Sequence, residues 1–212
     1  MNIRAENISK SFGEIKLFEN LSIDIPSKKI TCIFGKSGCG KTTLLNILGS
    51  IESYQNGEIY YDGIEITKRN QSSYLSKEFG FIFQNFGLLE NETVYENFMI
   101  IKRLKKMRKS VRDERIKTCL KEVDLAGFEN KKVFTLSGGE QQRVAIAKIL
   151  VKDCRVVFAD EPTASLDSEN KEIIIKLLKK LKENGKTIII VSHDHEIKRM
   201  SDVVVVLGDD SG

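Results

Sequence analysis

Residues 30–48 read ITCIFGKSGCGKTTLLNIL. An apolar run, Ile30 to Phe34, leads into Gly35-x-x-x-x-Gly40-Lys41-Thr42 and then into a helical start. That spacing, with a strand before it and a helix after it, is the pattern of a phosphate-binding loop. Its logic is local: the glycines let successive backbone N–H groups wrap a phosphate at the positive end of a helix. Lys41 would reach the β- and γ-phosphates of a nucleotide, and Thr42 would give its hydroxyl to Mg2+. The whole run, Gly35, Lys36, Ser37, Gly38, Cys39, Gly40, Lys41, Thr42 and Thr43, is the expected nucleotide cradle.

A loop of this kind needs a partner that holds the metal, and residues 155–162, RVVFADEP, supply one. Asp160 falls at the carboxyl end of a buried strand beside the loop, placed to hold Mg2+. Glu161 follows it directly. Two adjacent carboxylates repel unless the second has a task, and polarising the water that attacks a γ-phosphate is such a task. His193, in IIIVSHDH, lies just past another apolar strand, the edge where ligands bind in α/β sheets. Its imidazole could bond the γ-phosphate, or it could be structural. Gln84, after GFIFQ, is a polar residue at a strand end and by itself needs no special reading.

The rest of the chain divides into two kinds of strand. CIF, VVFA, TIIIV and VVVVL are continuously apolar, as strands of a parallel sheet buried on both faces are, whereas IKLFENLSIDI and GEIYYDG alternate or carry turn residues and suit antiparallel pairing. Residues 93–124 and 139–152 read as helices, the former with a segment RDERIKTCLKEVDLAG ending at Gly127. SENKEIIIKLLKKLKEN, stopping at Gly185, is the helix of a βαβ crossover. The expected fold is therefore α/β: a nucleotide-binding core with a parallel sheet, an antiparallel β subdomain and an inserted helical lobe. As one domain over 1–212 it takes its core from 1–84 and 154–212 and its lobe from 85–153.

Composition sets outer limits. With 212 residues, 41% hydrophobic and 30% charged, the chain can bury a sizeable core and is neither disordered nor a small disulfide-stapled module. Its longest apolar runs fall far short of the roughly 20 residues that span a bilayer, and the N-terminus carries no apolar signal region, so a cytosolic chain is expected. Cys32, Cys39, Cys119 and Cys154 show no metal-ligand spacing and read as reduced thiols. The net charge of +4 is concentrated in 101–117, IKRLKKMRKSVRDERIK, which reads as a solvated helical face.

A second glycine pair breaks the simple picture. TLSGGEQQR, residues 135–143, places Ser137, Gly138 and Gly139 at a helix start and would make another phosphate site nearly a hundred residues from the first. LSGGEQQ, taken with the phosphate loop and ADEP, resembles the nucleotide-binding domain of ATP-binding cassette (ABC) transporters, and the resemblance keeps that family's order of motifs over nearly the whole chain. It implies ATP and Mg2+ as ligands. Phe12 in SKSFG would stack on adenine, although the family more often has Tyr there. Gln84 would sense Mg2+ and the attacking water, while His193 would be the γ-phosphate switch. Ser137, Gly138, Gly139 and Glu140 would contact the ATP held by another protomer, and Asp167 in ASLD would cross the dimer interface. On this reading Glu161, His193 and Gln84 are the catalytic set, and Thr42, Gln84 and Asp160 surround the metal.

The resemblance further implies a head-to-tail dimer, a homodimer or a pseudo-symmetric one, formed on ATP binding. It also implies an integral membrane permease that keeps the chain peripheral on the cytoplasmic face of the cell membrane, with no nucleic-acid partner. FIFQNFGLLENETVYENF, residues 81–98, is similar to export and extraction cassettes of the lipoprotein-releasing, macrolide and bacteriocin-export kind, and the lack of a further domain after Leu207 is in keeping with them. The alternatives are a soluble ABC ATPase acting in DNA repair or translation, and an inactive nucleotide-gated scaffold. The first lacks its usual coiled-coil insertion or second cassette here, and Glu161 with His193 speaks against the second. Cargo is outside what this chain encodes.

Overall fold

The computed structural model describes residues 1–164 and 166–208. Ser165 of ASLD and residues 209–212, the end of the expected core segment, lie outside them.

Two sheets organise the chain. The first is antiparallel, in the order β2-β1-β4-β5, from β1 (Ile3–Phe12), β2 (Ile15–Ile25), β4 (Asn56–Tyr61) and β5 (Ile64–Glu65). The second is parallel, in the order β6-β7-β8-β3-β9, from β3 (Ile30–Phe34), β6 (Phe79–Ile82), β7 (Val156–Asp160), β8 (Thr187–Ser192) and β9 (Val203–Val206). β7 and β8 are buried at every position, as continuously apolar strands covered on both faces must be.

Alternate side chains of the parallel sheet feed two separate cores. Ile33, Val156, Phe158, Ile189 and Val191 pack with α1 (Lys41–Leu48) and the antiparallel sheet. Cys32, Val157, Ala159, Ile188 and Ile190 pack on the other side with α5 (Lys109–Glu122), α6 (Gly138–Lys152) and α7 (Ser168–Glu183). The helices that begin at Lys41 and at Gly138 therefore lie on opposite faces of one sheet. α6 also meets β6: a Cβ on Gly80 would run into Ile149 and Cys154. Short helices complete the chain: α2 (Gln71–Lys77), α3 (Val94–Met99), α4 (Lys102–Lys105) and α8 (His195–Met200).

Four details depart from the sequence reading. β1 is a strand the sequence reading does not contain, because a bulge at Asn7, with φ of 52°, shifts the buried set from Ile3 and Ala5 to Ile8 and Lys10 and hides its alternation. β9 is not covered on both faces: it is a sheet edge, and Val204 and Val206 are exposed there. α5 stops at Glu122, short of Gly127, and Asp124 already has φ of 57°. Lastly, β8 stands between the strand of Asp160 and the strand of the phosphate loop. The basic stretch is, as its charge requires, a largely exposed face of α4 and α5. All four cysteines are free thiols.

Candidate active site

The carboxyl ends of β3, β7 and β8 open on one edge of the parallel sheet: β7 ends in Asp160, and β3 and β8 end one residue before Gly35 and His193. β3 runs into the loop from Gly35 to Gly40. Gly38 and Gly40 have φ of 82° and 93°, a left-handed conformation that lets the chain curl and then enter α1 with its N–H groups turned inward. Leu17 and Phe18 of β2 brace that turn, each 2.8 Å from where a Cβ on Gly40 would stand. Lys41 is 7% exposed, and its Nζ donates to the carbonyls of Gly35 at 2.9 Å and Lys36 at 2.8 Å. The ammonium is thus held inside the curl of the loop, at the place a phosphate would occupy.

Thr42, in the first turn of α1, and Asp160, at the end of β7, come from elements separated by β8 in the sheet order, yet Thr42 Oγ1 donates to Asp160 Oδ1 at 3.0 Å. Burial pushes the Asp160 carboxyl above its ordinary value, the charge of Glu161 pushes the same way, and Thr42 and Lys41 oppose both. A hydroxyl and a carboxylate are hard oxygen donors. No cluster of three His, Cys, Asp or Glu exists among the described residues to form an all-protein cage. Two oxygens that leave room for water and substrate phosphate suit Mg2+.

Glu161 sits one residue past β7 with φ of 44°, which for a residue with a side chain costs roughly 1 kcal/mol. Its N–H donates to Val191 O at 3.0 Å, which continues the pairing of β7 with β8. The carboxylate is 13% exposed and bridges two groups of the neighbouring strand end: Ser192 Oγ donates to Oε2 at 3.0 Å, and His193 Nδ1 lies 2.8 Å from Oε1. The residues expected as base and γ-phosphate switch thus form one hydrogen-bonded pair. Ser192 is fully buried and was not legible as a site residue, since nothing in its spacing marks it.

Among the described residues, the other expected residues form no hydrogen bond with this centre. Gln84 lies two residues past the end of β6, exposed, with no hydrogen bond from its side chain to Thr42 or Asp160. Phe12 ends β1 half exposed, and its ring is covered by Lys10 Nζ at 4.6 Å. Ser137 caps α6 in a reciprocal box: its Oγ accepts from Glu140 N at 3.3 Å, and Glu140 Oε2 accepts from Ser137 N at 2.7 Å. Glu140 therefore shapes the helix start. Asp167 caps α7 by accepting from Asn170 N at 2.8 Å, and those bonds hold its carboxyl below the usual range.

Residues 18–164 match the family model described as ABC transporter. The chain is 38% identical over 216 residues to the lipoprotein-releasing system ATP-binding protein LolD of Porphyromonas gingivalis, covering 99% of this chain and 97% of that protein. It is also 38% identical over 212 residues to the spermidine/putrescine import ATP-binding protein PotA of Acetivibrio thermocellus, covering 97% of this chain but spanning only 58% of that relative's length. The fold superposes on the dimeric structure of MJ0796, a bacterial ABC transporter cassette, with a TM-score of 0.88 at 36% identity over 97% of this chain and 94% of that one. A further structure of MJ0796 is a dimeric post-hydrolysis state bound to ADP and Pi, with a TM-score of 0.86. With its phosphate loop, its paired carboxylates and its capped Ser-Gly-Gly helix start in place, the chain belongs to the ABC transporter family as an ATP-binding domain.

Proposed function

We propose that this chain binds ATP with Mg2+, closes around it as a head-to-tail dimer, hydrolyses it, and so drives a separate membrane permease. The observation that carries the reading is the Glu161 carboxylate, nearly buried at the sheet edge and held by Ser192 and His193 beside the Thr42–Asp160 pair. In it, the loop N–H groups and Lys41 bind the β- and γ-phosphates, Glu161 takes a proton from the attacking water, and His193 bonds the γ-phosphate. Thr42 and Asp160 would hold Mg2+, whose positive charge offsets that of the phosphates.

The dimer is supported by the placement of the two helix starts. Since α1 and α6 pack on opposite faces of the sheet, Ser137 and Gly138 serve a nucleotide held by another protomer, completing its shell from the far side. The cassette MJ0796, with a similar fold, is itself dimeric.

A permease partner is supported by a groove beside Gln84. It consists of two adjoining pockets that share Ile101 and Lys148, one lined by Phe83 and Phe86 and the other by Lys102 and Lys106, an apolar strip edged by cations that suits a segment carrying acidic residues. No helix among the described residues is long and apolar enough to cross a membrane itself. The chain then sits on the cytoplasmic face of the membrane, bound to that permease. The 81–98 stretch and the relatives LolD and MacB, the latter a macrolide export protein, support export, although PotA is an import protein.

Size-exclusion chromatography of Glu161→Gln tests the core of this reading. ATP should convert a monomer into a dimer that ADP does not support, and a variant that binds ATP yet stays monomeric at every concentration would remove the head-to-tail dimer.

A further inference from the structure

We infer that Lys171 is a positioning residue for Glu161, acting through Asp194 and Ser192, and this rests on the reading of Glu161 as the base. No motif includes Lys171, and it touches neither the phosphate loop nor the metal pair.

The network begins at the base. Glu161 Oε2 accepts from Ser192 Oγ at 3.0 Å, and the same Ser192 oxygen accepts the backbone N–H of Asp194 at 3.1 Å. A serine hydroxyl has one proton to give. With the Asp194 N–H on one of its two lone pairs, that proton is left to point at Glu161. The orientation of Ser192 therefore depends on where the Asp194 backbone stands.

Asp194 is fixed from two sides. Its Oδ1 caps α8 by accepting from Glu196 N at 2.8 Å, and its Oδ2 meets Lys171 Nζ at 2.5 Å. Lys171 also reaches Glu196 Oε2 at 3.0 Å, so one ammonium holds both acidic residues of the segment that follows His193. Burial, the largest single influence, works against ionised Asp194, but the bond and charge of Lys171 together with the bond from Glu196 N–H and the charge of His193 outweigh it and keep the carboxyl below its ordinary value. The side chains of Lys171 and Asp194 are 24% and 22% exposed, which sets the pair apart from mobile surface ion pairs. The anchor is firm: Lys171 lies in the first turn of α7, whose N-cap is Asp167 and whose inner face buries Ile174, Ile175, Leu177, Leu178 and Leu181. A rigid helix thereby sets the direction of the hydroxyl that orients the base.

Steady-state kinetics on the full chain separates positioning from mere stabilisation. Lys171→Met should lower kcat for ATP hydrolysis about tenfold while KM for ATP stays within about twofold, since misplacing a reacting group costs turnover and leaves substrate contacts intact. Lys171→Arg, which keeps the charge and can reach both carboxylates, should recover most of the rate. Ser192→Ala should lose a similar factor, and the double variant should be no worse than Ser192→Ala alone, because both changes remove one constraint. Wild-type turnover in Lys171→Met, a loss expressed in KM, or losses that multiply in the double variant overturns the inference. If Lys171→Met does not fold, Lys171→Gln is measured by the same criteria. A wild-type chain without ATPase activity overturns instead the assignment of Glu161 as base, and this inference falls with it.

Discussion

His193 Nδ1 lies 2.8 Å from Glu161 Oε1, across the junction of two neighbouring parallel strands. The side chain expected to bond a γ-phosphate thus also fixes one oxygen of the carboxylate expected to polarise water, and Ser192 fixes the other. A base held by two donors on an adjacent strand keeps its direction without help from solvent. Holding it there sets two strand ends and a left-handed backbone turn at Glu161 into one rigid corner.

Replacing His193 by Ala should therefore cost turnover twice, through the lost phosphate contact and through a freer Glu161. A fall in kcat of at least about a hundredfold is expected, the usual size for a disabled acid–base centre. His193 is 67% exposed, so the melting temperature should stay near that of the wild type. Rate assays beside thermal melts check both halves, and near-normal turnover in a folded variant would refute the pairing as functional.

Lys41 is satisfied in the free chain by the Gly35 and Lys36 carbonyls, which accept its protons within its own loop. Lys41→Ala should lose ATP affinity by at least about tenfold, since hydrogen bonds to charged groups contribute about 1.5–3 kcal/mol. Titration calorimetry with ATP reads this directly. Unchanged affinity would mean the lysine faces something other than a phosphate.

Asp160 presents the opposite balance, in which function opposes stability. Its folded-state pKa is raised by burial and by Glu161 from an ordinary 3.8, so the ionised form destabilises the fold. The favourable contribution is present at low pH, where the group is protonated in both states, and is lost as pH rises through the raised pKa. Asp160→Asn should consequently raise the melting temperature at pH 7, with the gain shrinking as pH falls toward 4. Mg2+-dependent hydrolysis should vanish in the same variant. A melting temperature lowered at pH 7 would show that the bond from Thr42 outweighs the burial.

Sequence was most informative where chemistry is local. The phosphate loop, the Asp160–Glu161 pair and the Ser-Gly-Gly helix start at Ser137 each need residues a few positions apart, so spacing alone locates them. It was silent where tertiary packing chooses the partner: Ser192 and Lys171 act across strands and helices and carry no pattern of their own. β1 escaped because the bulge at Asn7 reverses its inside and outside positions midway. The edge position of β9 was hidden for another reason: four valines read alike whether one face or both are covered.

The groove beside Gln84 makes the permease proposal testable without knowing the cargo. Lys102 and Lys106 are exposed, so reversing both charges in Lys102→Glu/Lys106→Glu should leave folding and ATP binding intact. An acidic docking segment would be repelled by the new charges. Co-purification of the membrane subunit with this chain should fall markedly in the double variant, and retention at wild-type levels would place the contact elsewhere.

The two glycines of the Ser-Gly-Gly helix start, Gly138 and Gly139, should respond in opposite ways. A Cβ on Gly138 would stand 3.7 Å from Phe86 Cζ and 3.8 Å from Leu166 Cδ2, ordinary contacts that require nothing to move. A Cβ on Gly139 would run into Asn170, and that side chain cannot easily swing aside. Its Nδ2 donates to Asp167 Oδ2 at 2.9 Å, and its Oδ1 accepts from Arg143 at 3.2 Å. Gly139→Ala should thus destabilise the fold by about 1–3 kcal/mol, the common cost of overpacking. Gly138→Ala should leave the melting temperature equal or slightly raised, because alanine is the better helix former. The internal packing gives Gly138 no reason to lack a side chain, which leaves the approach of an outside group, on our proposal the phosphate of the opposite protomer. In the Glu161→Gln background, Gly138→Ala should bind ATP normally but fail to dimerise, as read by size-exclusion chromatography with and without ATP. A Gly138→Ala chain that dimerises as well as its parent would sink the claim that this helix start completes a partner's site.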